Sequence, residues 1–335
     1  MAITNRSLSS PPLSIGMPVH NGENFLAAAL DSLLSQTFGD FELIISDNAS
    51  TDATPEICRA YAARDSRVRC LRQPENAGAA ANFRRAFHAG SSQYFKWAAH
   101  DDLHAPDYLQ QCLEVLEHDE KTVLCHSQVE VIDENGLTIR YDPVETQNLD
   151  SELPSERFSA LIRSDLDNYE VFGVIRRQVL AKTPLIAGYI ASDRPLRAEL
   201  GLRGKFRVLE NPLFRSRDHR ARSIRLFSAH HRRGHWFDPR RRGRIVFPHW
   251  RILAEYYKSI GRVDGLSAAE KLKSRLALLR WPAVHQNWAR LLADPLLAIF
   301  PGMEGMLIRG GNLLKESGRG ANHNIQSGRK RTPET

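Results

Sequence analysis

Three features of this 335-residue sequence predict an α/β fold of Rossmann type with a C-terminal helical extension. Short apolar runs of strand length alternate with runs of helical period through the first 150 residues. Loops rich in Asp, Asn and Gly separate them. Helical periodicity returns near residue 249, after a stretch dominated by Arg and His. A βαβα rhythm of this kind implies a parallel sheet covered by helices on both faces.

Residues 1–12 are polar, end in Pro-Pro and read as a flexible leader. Leu13–Val19 suits a buried strand. Residues 25–36 put Leu26, Leu30, Leu33 and Leu34 on one helical face. Residues 41–46 form a second buried strand, which stops at the turn composition Asp47-Asn48-Ala49-Ser50. Thr54 caps the next helix, with Pro55 at its first position. The alternation continues with a strand at 68–73, a helix at 78–89, a strand at 94–98, a helix at 106–118 and a strand at 123–132. An Asn135-Gly136 hairpin turn follows. Beyond residue 150 the rhythm loosens. Strands at 172–175 and 206–209 flank a helix near 193–202, and residues 249–260 and 268–292 read as helices. The expected organisation is a leader (1–12), an α/β domain (13–220), a basic loop (221–248), a helical extension (249–309) and a disordered tail (310–335).

The chain is 42% hydrophobic and 25% charged, a globular composition that argues against global disorder. Its net charge of +7 conceals a split. Residues 1–150 hold 11 basic and 22 acidic side chains, a net of −11, whereas residues 151–335 hold 35 and 17, a net of +18. The acidic half suits a cation; the basic half suits phosphate, nucleic acid or an anionic membrane surface. The four cysteines, Cys58, Cys70, Cys112 and Cys125, form no CxxC pair. That pattern disfavours a zinc site or a disulfide scaffold and fits a reducing, cytoplasmic setting. The first residues lack the apolar core of a secretory signal, and no run approaches the length of a membrane span.

Open α/β sheets bind ligands at the carboxyl ends of their strands. The four loops expected there are Pro18–Glu23, Asp47–Asp52, Pro74–Gly78 and His100–Asp102, and three of them carry acids. Adjacent Asp101 and Asp102 repel one another unless a hard cation neutralises them, which points to Mg²⁺ or Mn²⁺. Acids ahead of a helix also suit its dipole, so this pair has a purely structural reading too. Asp47 stands where a Rossmann unit holds a ribose, but Asp-Asn is equally good turn chemistry. The first loop, MPVHNGEN, lacks the GxGxxG that a dinucleotide site needs.

Several segments together resemble family 2 glycosyltransferases of the GT-A fold. They are SIGMPVHNGENFLAAALDSLLSQTFGDFELIISDNASTDAT, QPENAGAAANFRRAF, KWAAHDDL, YEVFGVIRRQVL and AGYIASDRPL, in that order along residues 13–220. The resemblance implies a mixed, mostly parallel GT-A sheet and a nucleotide-sugar donor, with UDP the default. Pro18, His20 and Glu23 would line the base and ribose pocket, and Asp47 would bond the uracil edge. Asn76 and Asn82 would border the same pocket. Asp101 and Asp102 fall on the metal-binding acidic motif, Asp102 being the direct ligand of a divalent cation. Arg215, Arg217 and His219 would face the diphosphate. Asp193 falls on the general base of an inverting transfer; read alone, it is a helix cap ahead of Arg194 and Pro195. Two departures from the family pattern stand out. Ala99 replaces the first acid of a D-x-D-D motif, and Ser192 precedes Asp193 where many members carry Glu.

The basic run HHRRGHWFDPRRRGR has three readings, capture of a phosphate on donor or lipid-linked acceptor, a nucleic-acid surface and a solvated mobile loop. The aromatic and basic C-terminal helices suit peripheral contact with an anionic membrane or packing on the catalytic domain. The acceptor is then a saccharide, a lipid-linked saccharide or a protein. Competing readings are a sugar-phosphate nucleotidyltransferase, which the first loop's lack of a Gly-rich, basic composition disfavours, and a degenerate nucleotide-sugar or nucleic-acid binding module.

Overall fold

The computed structural model describes residues 10–164, 166–222, 230–241 and 247–299. The leader through residue 9, much of the basic run and the whole 310–335 tail lie outside the described residues. Four parallel strands form the first half of the sheet: β1 (Leu13–Val19), β2 (Phe41–Asp47), β3 (Val68–Arg72) and β4 (Tyr94–Trp97), in the order β3-β2-β1-β4. Helices α1 (Leu26–Leu34), α2 (Thr54–Arg64) and α3 (Ala79–Ala89) make the connections. Every residue of β1 is buried, as its unbroken apolar run requires of a strand covered on both faces.

The chain runs outward from β1 to β3, then crosses back through α3 to place β4 on the other side of β1. This reversal creates the switch point where open α/β sheets form a crevice. The β1–β4 pairing ends at Gly16 and Trp97, whereas the β1–β2 pairing continues to Val19 and Asp47. Pro18 therefore sits beyond the last β4 partner and costs that ladder no N–H donor.

Past β4 the sheet becomes mixed. The remaining elements are β5 (Leu103–His104), α4 (Tyr108–His118), β6 (Thr122–Ile132), β7 (Thr138–Asp142), α5 (Pro154–Arg163), β8 (Val174–Arg176), α6 (Arg177–Leu180), α7 (Asp193–Arg203) and β9 (Lys205–Arg217). β8 enters antiparallel between β4 and β6, β9 lies parallel to β6, and β5 pairs antiparallel with β9. The expected Asn135-Gly136 hairpin joins β6 to β7, with Gly136 at φ 85° and Asp133 Oδ1 accepting from the Asn135 and Leu137 N–H groups.

Two elements differ from their sequence reading. β9 is longer than 206–209 because the turn-like Glu210-Asn211-Pro212 is absorbed as an irregularity between the pairs Ser127–Leu209 and Val129–Phe214. The helix expected over 268–292 is two helices. After α8 (His230–Phe237) and α9 (Pro248–Arg262) come α10 (Ala268–Arg280) and α11 (Asn287–Ile299), with a short 3-10 turn, Trp281–Gln286, between them. Pro282 cannot donate to the preceding turn, and Val284 is extended while His285 and Gln286 take positive φ.

The C-terminal helices share a core with the α/β domain. Phe158, Ile162, Ala198 and Leu202 of α5 and α7 pack with Ile252, Tyr256, Ile260, Leu278, Trp281 and Leu291. Arg262 reinforces the contact by pairing with the buried Glu199 at 2.8 Å. Replacing fully buried Ile260 with Ala is expected to cost about 2–5 kcal/mol. In urea it should move one cooperative transition; a separate early transition for the helices, leaving the α/β domain unaffected, would contradict the shared core.

Candidate active site

The loops after β1 and β2 brace one another at the crevice. Asn21 N–H donates to Ser50 Oγ, Gly22 N–H to Thr54 Oγ1 and Glu23 N–H to Asp52 Oδ2. In return Asn21 Oδ1 accepts from Thr51 N–H, and Glu23 Oε2 from Ala53 N–H. Thr54, expected as a helix cap, thus serves the neighbouring loop. Gly22 is required by crowding: a Cβ there would sit 2.6 Å from the His100 ring, so the β1 loop lies directly against the acidic loop after β4.

Asp47 ends β2 in a buried position. Its Oδ1 accepts from Ser50 N–H at 2.9 Å. Its Oδ2 is buried with no hydrogen-bond partner and lies 3.5 Å from Arg72 Nε. Arg72 offsets its charge, but the oxygen accepts no hydrogen bond, and a buried acceptor without one is costly. Pro18 is buried in β1, whereas His20 and Glu23 are exposed on the rim. Asn76 and Asn82 organise the pocket wall instead of opening onto it. Asn82 accepts from Ser46 Oγ and donates to the Val19 and Ser46 carbonyls, which uses its whole amide to tie α3 to the ends of β1 and β2. Asn76 Oδ1 accepts from Asn48 Nδ2 and Gly78 N–H.

The acidic loop is held from β9. Asp101 Oδ2 meets His219 Nε2 at 2.9 Å, and Asp102 Oδ1 accepts from Arg217 N–H at 2.8 Å. Burial and the Asp101 charge push the Asp102 carboxyl up to about 7. Burial opposes the Asp101 charge too, but His100, the His219 bond and Arg222 outweigh it and hold Asp101 below the usual carboxylate range. Among the described residues nothing hydrogen-bonds to Asp101 Oδ1 or Asp102 Oδ2, and no group of three or more His, Cys, Asp or Glu is placed to hold a metal ion.

The arginines expected at the diphosphate are engaged by partners within the protein. Arg215 pairs with Glu130 at 2.7 Å across β9 and β6. Arg217 donates to the carbonyls of Asp101, Asp133 and Glu134 and lies over the Phe25 ring. Both face the same side of β9, because strand side chains alternate, and Arg217 holds the acidic loop through the Asp101 carbonyl. Arg222 was not identified from the sequence. Burial opposes its charge, but Asp102, Tyr169, Asp101 and Asp167 together raise its pKa. It is a cation between the acidic loop and the turn preceding β8. The Arg-rich run announced a cation there, but not which arginine.

That same turn reaches Asp193. Asn168 Nδ2 donates to Asp193 Oδ2 at 2.7 Å, and Asp193 opens α7 half-buried. Ala191, two residues earlier, has φ 56°, as Asn21 and Ala49 have positive φ at the other loops. Held αL conformations of non-glycine residues concentrate at such sites. The described part of the basic run is no solvated loop: α8 seats on the rim. A Cβ on Gly78 (φ 86°) would strike Pro239 Cδ at 2.5 Å and the Phe237 carbonyl at 2.8 Å.

Beneath Asp102 lies Lys96, fully buried on β4. Its Nζ donates to the Phe172 carbonyl and stands 4.8 Å from the Tyr108 ring centre. Burial pulls its pKa down to about 7.

The sequence model described as Glycosyl transferase family 2 matches residues 14–183, just over half of the chain. The chain belongs to this family. A Rickettsia typhi protein named as an uncharacterized glycosyltransferase is 31% identical over 133 residues, 39% of this chain and 41% of that protein. EpsH of Bacillus subtilis, also bearing a glycosyltransferase name, is 28% identical over 194 residues, 58% of this chain and 53% of that protein. The chain thus matches about half or less of the length of these curated relatives. Among solved structures, residues 1–349 of S. aureus TarS superpose with a TM-score of 0.59 at 14% identity, covering 86% of this chain and 81% of that one. This likeness establishes a GT-A-like fold: a curled mixed sheet flanked by helices, with further helices at the C-terminus.

Because the native state disfavours a charged Lys96, the unfolded chain binds the extra proton between about pH 7 and the ordinary lysine range. The penalty is full below that window and fades as pH rises through it. Lys96→Met should therefore melt several degrees above the parent at pH 6, with the gap narrowing by about pH 9.5. A pH-independent gap in differential scanning calorimetry would contradict a buried, destabilised ammonium.

Proposed function

We propose that this glycosyltransferase takes a sugar from a nucleoside-diphosphate donor, most naturally a UDP-sugar, and transfers it to an acceptor hydroxyl with inversion. The observation that carries the reading is Asp47 Oδ2, buried and unbonded at the crevice. A pyrimidine imide N–H is the donor such an oxygen lacks, and uracil supplies one. The S. aureus TarS structures with UDP and UDP-GlcNAc lend support, since the same fold accommodates those ligands there.

The two loop oxygens left over, Asp101 Oδ1 and Asp102 Oδ2, fit a hard divalent cation that keeps positions for phosphate oxygens and water. Such a cation, Mg²⁺ or Mn²⁺, would neutralise the diphosphate and make it a better leaving group. Arg222 adds a second positive charge beside that loop. His219 and Arg217 hold the two carboxylates in place. Asp193 would accept the acceptor hydroxyl's proton as that oxygen attacks the anomeric carbon opposite the leaving group, and Asn168 orients its carboxylate. A place in surface-polysaccharide or glycoconjugate synthesis belongs to the same proposal.

Asp193→Asn is expected to lower turnover by about 10²–10⁴-fold while leaving UDP affinity within a few-fold of the parent. Asp47→Asn, which puts the choice between a carbonyl and an amide at the orphan position, should weaken UDP in calorimetric titration by at least about tenfold. If UDP binds the Asp47 variant as tightly as the parent, the base-reading role fails. If the Asp193 variant turns over normally, the base lies elsewhere.

A further inference from the structure

The C-terminal helices present a second, unrelated surface. One side of each closes the shared core, and the other side is apolar and open. On α10, Leu272, Leu276 and Leu279 recur at helical spacing and are 57%, 48% and 76% exposed. On α11, Trp288, Leu292, Leu296 and Ile299 repeat the pattern, each at least half exposed. Between α9 and α10 runs a groove of about 650 Å³ lined by Trp250, Leu253, Tyr257, Leu278, Leu279 and Pro282. Monomeric proteins rarely leave stripes of this kind uncovered.

Charge identifies what covers them. Lys271, Arg275 and Arg280 of α10 make no ion pair among the described residues, and Arg275 stands over the Tyr257 ring at the groove. The acids of α10 and α11 are Glu270 and Asp294, and both are turned inward. Glu270 accepts from Ser155 N–H, and buried Asp294 accepts from His249 and Trp250 N–H. The outer face is therefore apolar and cationic with no counter-charge of its own. A second copy joined about a two-fold axis would set these same cations against themselves. The chain's own residues 300–335 hold six Lys or Arg and three Glu, so that segment is basic as well. Apolar stripes beside Lys and Arg, with Trp and Tyr at the border, match the boundary between acyl chains and anionic headgroups.

We propose that the outer face of α9–α11 docks on an anionic lipid bilayer. No helix among the described residues is long and apolar enough to cross a membrane, so the attachment is peripheral. Of these helices, α9 packs on α7, the helix that begins with Asp193.

The test is flotation of the full chain with vesicles of phosphatidylcholine containing roughly 30% phosphatidylglycerol, against phosphatidylcholine alone. The full chain should float with the anionic vesicles at about 50 mM salt and lose at least about tenfold of that binding at about 500 mM. Leu276→Asp/Leu279→Asp and, separately, Lys271→Glu/Arg275→Glu should each lower binding about tenfold or more. Melting temperatures and UDP affinity should be unchanged, since these side chains take no part in the shared core with the α/β domain. Absence of flotation, binding insensitive to salt, or variants that bind as the parent does would overturn the proposal. A dimer in light scattering that Leu276→Asp/Leu279→Asp dissolves, without vesicle binding, would assign the face to a second copy.

Discussion

Two adjacent carboxylates at the end of a buried strand define this molecule. Asp101 and Asp102 follow β4 where it parts from β1, and their mutual repulsion must be offset in the folded chain. The structure does so from a distance in sequence: β9 returns beside β6, contributes the Arg217 N–H to Asp102, and is followed by His219 on Asp101. Two-residue β5 secures the geometry by pairing with β9 directly after the acidic loop. The mixed second half of the sheet is thus the support that holds two negative charges at one rim.

Much else follows from that support. The β1 loop packs on the acidic loop through Gly22, and the β2 loop braces the β1 loop through Ser50, Thr54 and Asp52. Asp47 belongs to this same assembly, its Oδ1 accepting from Ser50 N–H and its Oδ2 buried beside Arg72. Such prior ordering lets a site bind a ligand without bearing the cost of organising loops at the moment of binding. Arg222 extends the charge pattern toward the turn that carries Asn168, and so toward Asp193. The donor and acceptor sides of the proposed reaction are linked through a handful of polar side chains.

The strand-end rule made Asp47, Asp101 and Asp102 legible in the sequence, because apolar runs show where parallel strands stop. The helix beginning at Asp193 was equally plain from its spacing. The arginines were not. Glu210-Asn211-Pro212 looks like a turn, which hid the continuation of β9 and with it the alternation that sends Arg215 and Arg217 to one face. The burial of Asn82 depends on contacts with β1 and β2 that only folding creates. The 268–292 periodicity survives across the break at Pro282, because both helices bury one side on the same core. The seating of α8 on Gly78 was invisible for a similar reason: composition alone marked that run as basic and gave no partner for it.

In the proposed function, the crevice between β1 and β4 holds a nucleoside diphosphate with the help of a cation at Asp101 and Asp102. Its most direct test is thermal unfolding with UDP, GDP and dTDP, each with and without Mn²⁺, on the parent chain and on Asp102→Ala. A ligand at about a hundredfold excess over Kd stabilises the folded state by about 2.7 kcal/mol, a rise of a few degrees at this chain length. A rise with UDP that requires Mn²⁺ and disappears in Asp102→Ala is expected. A folded parent chain whose midpoint no nucleotide moves, with or without the metal, would contradict it.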